Sequence, residues 1–229
     1  MKVLTTAIGY NTKQVTPFVE SLLEHGNHQI IAVCNDCEAR TYLEYKGATI
    51  IEDSCTDYHP NVRRFMGYKE ALRGVDEVVM LADIRDVIFQ GDIDQLAGDN
   101  MQVYTENKRI LDCPYNSKWM VDIGQHYDEQ VICAGIIVGK LSEYVTLLWE
   151  ALSVLPKGTT LDQALHNHFV YSGRVDATIH DYKYPVYTVG YVPYNQVDIA
   201  DGLITVDGQV PIAVHQYDRH PVLLEGLRW

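Results

Sequence analysis

Short apolar runs recur along the chain, each closed by a glycine or a polar turn and followed by a stretch with helical spacing. Residues 3–9 (VLTTAIG) have the length and composition of a strand ended by Gly9. Val15, Phe18, Val19, Leu22 and Leu23 then recur on one helical face across residues 11–24. Residues 28–34 (HQIIAVC) supply a second strand, residues 36–46 a helix stopped by Gly47, and residues 48–51 a third strand. This βαβαβ alternation predicts a parallel sheet with helices on its faces, an α/β fold. Ligands of such sheets bind beyond the carboxyl ends of the strands, which directs attention to residues 5–10.

The stretch VVMLADIRDVIFQGD at 78–92 carries the sharpest signal. An uncharged run, Val78 to Ala82, reads as a buried parallel strand and ends directly at Asp83 and Asp86. Acids at i and i+3 of a tight turn converge on one point, where they repel unless a cation or a shared proton lies between them. Oxygen ligation with open positions suits Mg²⁺ or Mn²⁺. Arg85 stands between the acids, so an ion-paired strand end is the competing reading. Upstream, residues 59–74 (HPNVRRFMGYKEALRG) predict a helix with Val62, Phe65, Met66 and Leu72 on one face. Arg64 and Tyr68 share another face, from which Arg64 can reach a phosphate-bearing ligand, whereas Arg63 reads as part of a solvated basic face.

Beyond the acids the pattern weakens. Residues 91–100 read as a polar loop, residues 101–105 as a strand, and residues 106–130 show no periodicity, which predicts a functional loop or lid offering Lys108, Lys118 and Trp119. Residues 131–139 (VICAGIIVG) are a buried strand interrupted by Ala134-Gly135, a place where a ligand can approach the backbone. A helix over 141–154 follows, with Tyr144, Leu147, Leu148, Ala151 and Leu152 as its stripe. In TTLDQAL (159–165), Thr160 and Gln163 match a T-x-x-Q capping box, and Asp162 suits the first turn of a helix electrostatically. His166 and His168 read as packing or helix-surface residues. Tyrosines at 171, 182, 184, 187, 191 and 194 supply either an aromatic acceptor groove or ordinary packing. A last apolar run at 210–214 ends at His215.

With 229 residues, 47% of them hydrophobic, the chain can form one core, and a single domain over 1–229 is expected. A net charge of −13 argues against nucleic acid or anionic membranes as partners and requires local positive devices for any anionic ligand. No apolar stretch has membrane-spanning length and no signal peptide is evident, so the expectation is a soluble, cytoplasmic protein without an integral membrane segment. The cysteines (34, 37, 55, 113, 133) are odd in number, and Cys34-Asn-Asp-Cys37 has no second pair at zinc spacing, so reduced thiols are expected.

Taken together, the strand running into Asp83-Ile84-Arg85-Asp86-Val87-Ile88-Phe89, the Ala134-Gly135 strand, the Asp162-Gln163 helix start and the late His215 resemble the GT-A glycosyltransferases. The resemblance implies a GT-A-like, Rossmann-type fold with a mixed, mostly parallel central sheet flanked by helices. It implies sugar transfer from a nucleotide-diphosphate sugar donor to a glycan or other hydroxyl acceptor, with Mn²⁺ or Mg²⁺ as cofactor. Residues 1–105 would form the nucleotide-binding half and 106–229 the acceptor-side half. By the same resemblance, Asp83, Asp86 and His215 would hold the metal. Thr6, Ala7 and Tyr10 would meet the nucleoside, Arg64 and Arg85 the diphosphate, and Ala134 and Gly135 the donor sugar. Asp162 and Gln163 would stand at the reaction centre, Asp162 acting as base if transfer inverts. The chain departs from the family in spacing its acids D-x-x-D, in placing Cys133 where a polar residue is usual, and in lacking the Gly and Lys-Pro-Trp that usually follow the histidine. Arg219 or His220 would replace that missing lysine at the diphosphate. A non-catalytic nucleotide-sugar or glycan binding module remains as an alternative. A sugar-phosphate nucleotidyltransferase is the other, disfavoured by the lack of a Gly-rich basic loop after the first strand.

Overall fold

A computed structural model describes residues 1–221 and 223. The first half alternates as expected: β1 (Lys2–Ala7), α1 (Thr12–Glu24), β2 (Gln29–Cys34), α2 (Glu38–Tyr45), β3 (Thr49–Glu52), α3 (Pro60–Ala71) and β4 (Val79–Ala82). The chain continues through β5 (Val87–Phe89), β6 (Met101–Arg109), α4 (Pro114–Asp122), β7 (Gln130–Gly139), α5 (Ser142–Ser153) and α6 (Asp162–Tyr171). It closes with β8 (Ala177–His180), β9 (Val186–Thr188), β10 (Asp198–Ala200), β11 (Leu203–Thr205) and β12 (Ala213–His215).

Seven strands form the central sheet in the order β3-β2-β1-β4-β7-β6-β8, and β7 alone runs against its neighbours. The expected mixed, mostly parallel sheet is therefore present. The inner strands β4 and β7 are apolar on both faces because both faces are covered. Met80 and Ala82 of β4 face a core with Phe18, Val19 and Leu22 of α1. Val79 and Leu81 face another with Phe65 and Leu72 of α3 and its flank, Leu148 of α5, and Phe169 of α6. The two-residue alternation of a strand thus partitions one short segment between two cores.

A second, three-stranded sheet, β5-β12-β9, positions the site. It joins the segment just after Asp86 to the segment that ends at His215. β12 pairs antiparallel with β5, setting His215 opposite Val87, and parallel with β9, setting His215 opposite Thr188. Gln216 extends the first pairing by donating its N–H to the carbonyl of Asp86 at 2.7 Å.

Three expectations are corrected. Residues 106–130 are not an irregular lid: β6 runs on to Arg109, α4 occupies Pro114–Asp122, and β7 begins at Gln130. Only Asn116 and Met120 of α4 are buried, so the helix carries no apolar stripe for a periodicity to reveal. The loop at 91–100 contains a 3₁₀ turn, Ile93–Leu96, capped by Asp92. Arg63 is not solvated: it pairs with the buried Asp53 at 3.1 Å.

Candidate active site

β4 ends between β1 and β7, and the chain there enters the turn Asp83 to Asp86. Asp83 donates its backbone N–H to the carbonyl of Gly135 at 2.9 Å, so the β4–β7 register holds the turn against the Ala134-Gly135 strand. The small sheet brings in His215 from the opposite side. One ligand atom from each of Asp83, Asp86 and His215 lies within 4.8 Å of the others. Two oxygens opposed across a hexacoordinate Mg²⁺ are about 4.2 Å apart, so the trio is close to a coordination set.

Gly135 permits this approach. A Cβ at that position would lie 2.2 Å from His215 Nε2. The glycine that marks close approach to the strand therefore admits the imidazole. Gly135→Ala is expected to displace the ring and remove the metal response, and to cost about 1–3 kcal/mol of stability through overpacking. Thermal melts with and without Mn²⁺ check both effects.

The electrostatics fit a cation. Burial, reinforced by Asp83 and Asp218, holds the Asp86 carboxyl well above the usual carboxylate range. Its Oδ1 is buried without a hydrogen-bond partner among the described residues, 3.8 Å from His215 Nε2. Burial pushes His215 down to about 4, against the opposing pull of Asp83, so the imidazole is neutral near pH 7 and keeps a lone pair to donate. A divalent ion among these atoms would relieve the repulsion between the acids and satisfy the orphaned oxygen. An imidazole beside two carboxylates suits Mn²⁺ somewhat better than Mg²⁺.

Arg64, for which a diphosphate contact is expected, bridges two acids of the site. Its guanidinium is buried between two carboxylates, reaching Asp83 Oδ1 from Nη1 at 2.5 Å and Asp162 Oδ2 from Nη2 at 3.0 Å. Burial opposes its charge, but Asp83 and Asp162 hold its pKa above the ordinary value. Arg64 fixes the orientation of both acids. Arg85 is exposed and pairs with neither Asp83 nor Asp86, donating from Nε and Nη2 to Asp218 at 3.1 and 2.7 Å. Gln216, in the left-handed conformation (φ 62°), turns the chain after β12 into a 3₁₀ turn, Tyr217–Arg219. That turn supplies Asp218 to Arg85 and Arg219 to the cleft.

Two recesses meet at Asn61, Arg64, Asp83 and Asp86. The first is walled by Thr6, Ile8, Tyr10 and Arg85. Thr6 shares a 2.8 Å hydrogen bond with Tyr68. Ala7 does not line it: its side chain is buried in the core. The second is walled by Trp119, Ala134, Gly135, Asp162, Gln163, His215 and Arg219, together with Glu106 and Gln216. The structure thus brings together the metal trio, Arg64, Ala134, Gly135, Asp162 and Gln163. Of the late tyrosines, Tyr187 is packing, whereas Tyr191 lies under the Arg219 guanidinium at 5.6 Å. His220 is buried, bonded to the Val189 carbonyl, and takes no place in either recess.

The expected capping box at Thr160 is absent. The helix begins at Asp162 with Leu161 as N-cap, and no side chain caps it. Gln163 is drawn instead to Glu106, donating from Nε2 to Oε1 at 2.8 Å, and Gln216 donates to the same oxygen at 3.3 Å. A carboxylate accepts only, so Glu106 fixes which end of each amide faces it. Sequence reasoning missed Glu106, although an uncharged run ending at an acid, a weaker form of the signal that singled out Asp83, is present at 101–106.

His166, four residues after Asp162, is buried, with Nδ1 hydrogen bonded to the Tyr144 hydroxyl at 2.8 Å and Nε2 unpartnered. Burial, and secondarily Arg64, pushes it down to about 3. The unfolded chain therefore takes up this proton first, so the contribution is present above the unfolded value near 6.5 and is lost as pH falls toward about 3. Denaturant melts of the metal-free protein are expected to lose roughly 2–3 kcal/mol between pH 7 and pH 4 from this group. His166→Asn should flatten that slope.

No family model and no curated protein matches the chain. Solved structures do match. The galactosyltransferase LgtC, in complex with donor and acceptor sugar analogs, aligns with a TM-score of 0.56 at 13% identity, over 94% of this chain and 86% of that one. An active-site mutant of LgtC aligns at 0.52, with the same identity and coverage. A glycosyltransferase involved in the glycosylation of the major capsid of PBCV-1 aligns at 0.53 and 13% identity, over 97% of this chain and 98% of that one. The chain has the GT-A fold of these glycosyltransferases.

Proposed function

We propose that this protein is a metal-dependent glycosyltransferase that moves a sugar from a nucleotide-diphosphate sugar to an acceptor hydroxyl. The observation that carries the reading is the convergence of Asp83, Asp86 and His215 where the two recesses meet. The first recess takes the nucleotide, between Tyr10, Thr6 and Ile8. The second takes the sugar and acceptor, between Ala134-Gly135, Asp162, Gln163 and Trp119. The first is lined only by residues before 87 and the second draws most of its wall from residues after 105, which supports nucleotide and acceptor halves of one domain over 1–229.

In the second recess Asp83, Asp86, Glu106 and Asp162 stand against the guanidiniums of Arg64 and Arg219 alone. Such a surface repels a diphosphate unless a cation intervenes. Mn²⁺ or Mg²⁺ held by Asp83, Asp86 and His215 would offset the charge on the diphosphate. Arg64 keeps Asp83 and Asp162 in place. Arg219, with no ion pair among the described residues, is the cation left to meet a phosphate oxygen. Glu106 holds the Gln163 amide so that its carbonyl is left to the recess. No helix among the described residues is long and apolar enough to cross a membrane.

The test is nucleotide diphosphate release from a panel of sugar nucleotides with Mn²⁺ and simple sugar acceptors. Release that depends on both metal and acceptor is the expected result. Metal-dependent nucleotide binding without release for any acceptor would leave a binding module in place of an enzyme.

A further inference from the structure

The C-x-x-C segment has no part in the chemistry above, yet it is the backing of the first recess. Cys34 ends β2 and Cys37 is the N-cap residue of α2, and their Sγ atoms lie 3.5 Å apart. Both sulfurs lie within donor reach of the same carbonyl, that of Ala7, at 3.3 and 3.2 Å, and Cys34 Sγ also lies 3.2 Å from the Asn35 carbonyl. The residues around them hold the loop that lines the recess. Asn35 Oδ1 accepts from the Gly9 N–H at 2.9 Å, Ala39 donates its N–H to the Tyr10 carbonyl at 3.1 Å, and Glu38 accepts from the Thr12 N–H at 3.3 Å. Ile8 and Tyr10, on that loop, line the recess. Among the described residues no third metal-ligating side chain joins the two thiols, which separates the pair from a zinc site.

We propose that Cys34 and Cys37 are a thiol-oxidation site, and that closing their disulfide resets the loop at 8–12 and weakens ligand binding in the first recess. Disulfide formation draws the sulfurs from 3.5 Å to about 2.05 Å and leaves the Ala7 carbonyl without a thiol donor. It pulls the first turn of α2, and with it the anchors of Gly9, Tyr10 and Thr12. Cys37 is the half-exposed partner and the entry thiol, since Cys34 is fully buried and burial pushes it up to about 12. Its thiolate attacks one sulfur of a disulfide oxidant, forming a mixed disulfide and expelling one thiolate. Cys34 then gives up its proton and attacks Cys37 Sγ, expelling the second, so that two protein thiols are oxidised and the oxidant is reduced to two thiols.

The disulfide and the loop change do not depend on the proposed transferase activity; the effect on nucleotide binding rests on that reading. The full chain is equilibrated with glutathione disulfide, its remaining thiols are alkylated after denaturation, and the peptides are mapped. Expected is the loss of two of the five thiols, at 34 and 37, reversed by reduced glutathione and abolished in Cys37→Ser, whose hydroxyl keeps a donor on the Ala7 carbonyl. Hydrogen exchange at Gly9 and Thr12 should accelerate about fivefold to tenfold in the oxidised form, as each loses one hydrogen bond. Full alkylation after oxidation, or a disulfide elsewhere, overturns the site. A disulfide at 34 and 37 with unchanged exchange at Gly9 and Thr12 overturns the coupling. If both results hold but the reduced protein gives no response to nucleoside diphosphates with Mn²⁺, the transferase reading fails and the oxidation site stands.

Discussion

Asp86→Ala is expected to abolish the Mn²⁺-dependent part of nucleotide stabilisation while leaving the fold intact. A ligand at about 100 times its dissociation constant stabilises the native state by about 2.7 kcal/mol, which for a chain of this length raises the melting midpoint by roughly 5–10 °C. Asp86 supplies the buried, unpartnered Oδ1 opposite His215, so without it the cation keeps only one carboxylate, and that one is shared with Arg64. In the absence of metal the variant should be no less stable than the parent, because a buried acid repelled by Asp83 and Asp218 has been removed. Melts with nucleoside diphosphate, with and without Mn²⁺, give the answer. A metal-dependent shift that survives in the variant would remove Asp86 from the ligand set.

Arg64→Met is expected to be the most destabilising single change in the site. The guanidinium bridges Asp83 and the buried Asp162, and removing one partner of a buried ion pair costs roughly 3–5 kcal/mol, because the remaining charge is left uncompensated. The midpoint should fall by roughly 6–20 °C. Burial already holds Asp162 above the usual carboxylate range, and without Arg64 it should rise further. A carboxyl whose folded-state pKa is raised binds more protons folded than unfolded, so the variant's deficit should shrink as pH falls through that raised value. Adding Asp162→Asn should recover part of the loss at neutral pH. An Arg64→Met protein that melts with the parent would mean that the bridge contributes little.

The parts of the fold legible in the sequence were those whose burial is periodic along a helix or continuous along a strand. Val15, Phe18, Val19 and Leu22 announce α1 because one face of that helix enters the core. The uncharged run before Asp83 announces β4 because both faces of that strand are covered. Helix α4 was invisible for the opposite reason, since it buries only Asn116 and Met120 and starts at a proline that local spacing does not distinguish from a turn. The site was legible where a residue broke the local rule. Gly135 in a buried strand and the acids ending β4 each pointed to it, although the group that Gly135 admits is His215, more than seventy residues on. Long-range pairing hid the rest. Gln163 matched a capping box but is drawn to Glu106, Arg85 leaves its neighbouring acids for Asp218, and Arg63 finds Asp53 across the start of α3. Such choices depend on which elements the sheet order makes adjacent, and local spacing does not carry that information.

One divalent cation is expected to join Asp83, Asp86 and His215 where the two recesses meet. Anomalous scattering from crystals grown with Mn²⁺ and a nucleoside diphosphate tests it most directly. One manganese peak is expected within coordination distance of an Asp86 oxygen and His215 Nε2, with Asp83 completing the set and phosphate oxygens on the open side. A peak elsewhere, or none, with Asp83 still held by Arg64 and His215 Nε2 still facing an unoccupied Asp86 oxygen, would contradict it.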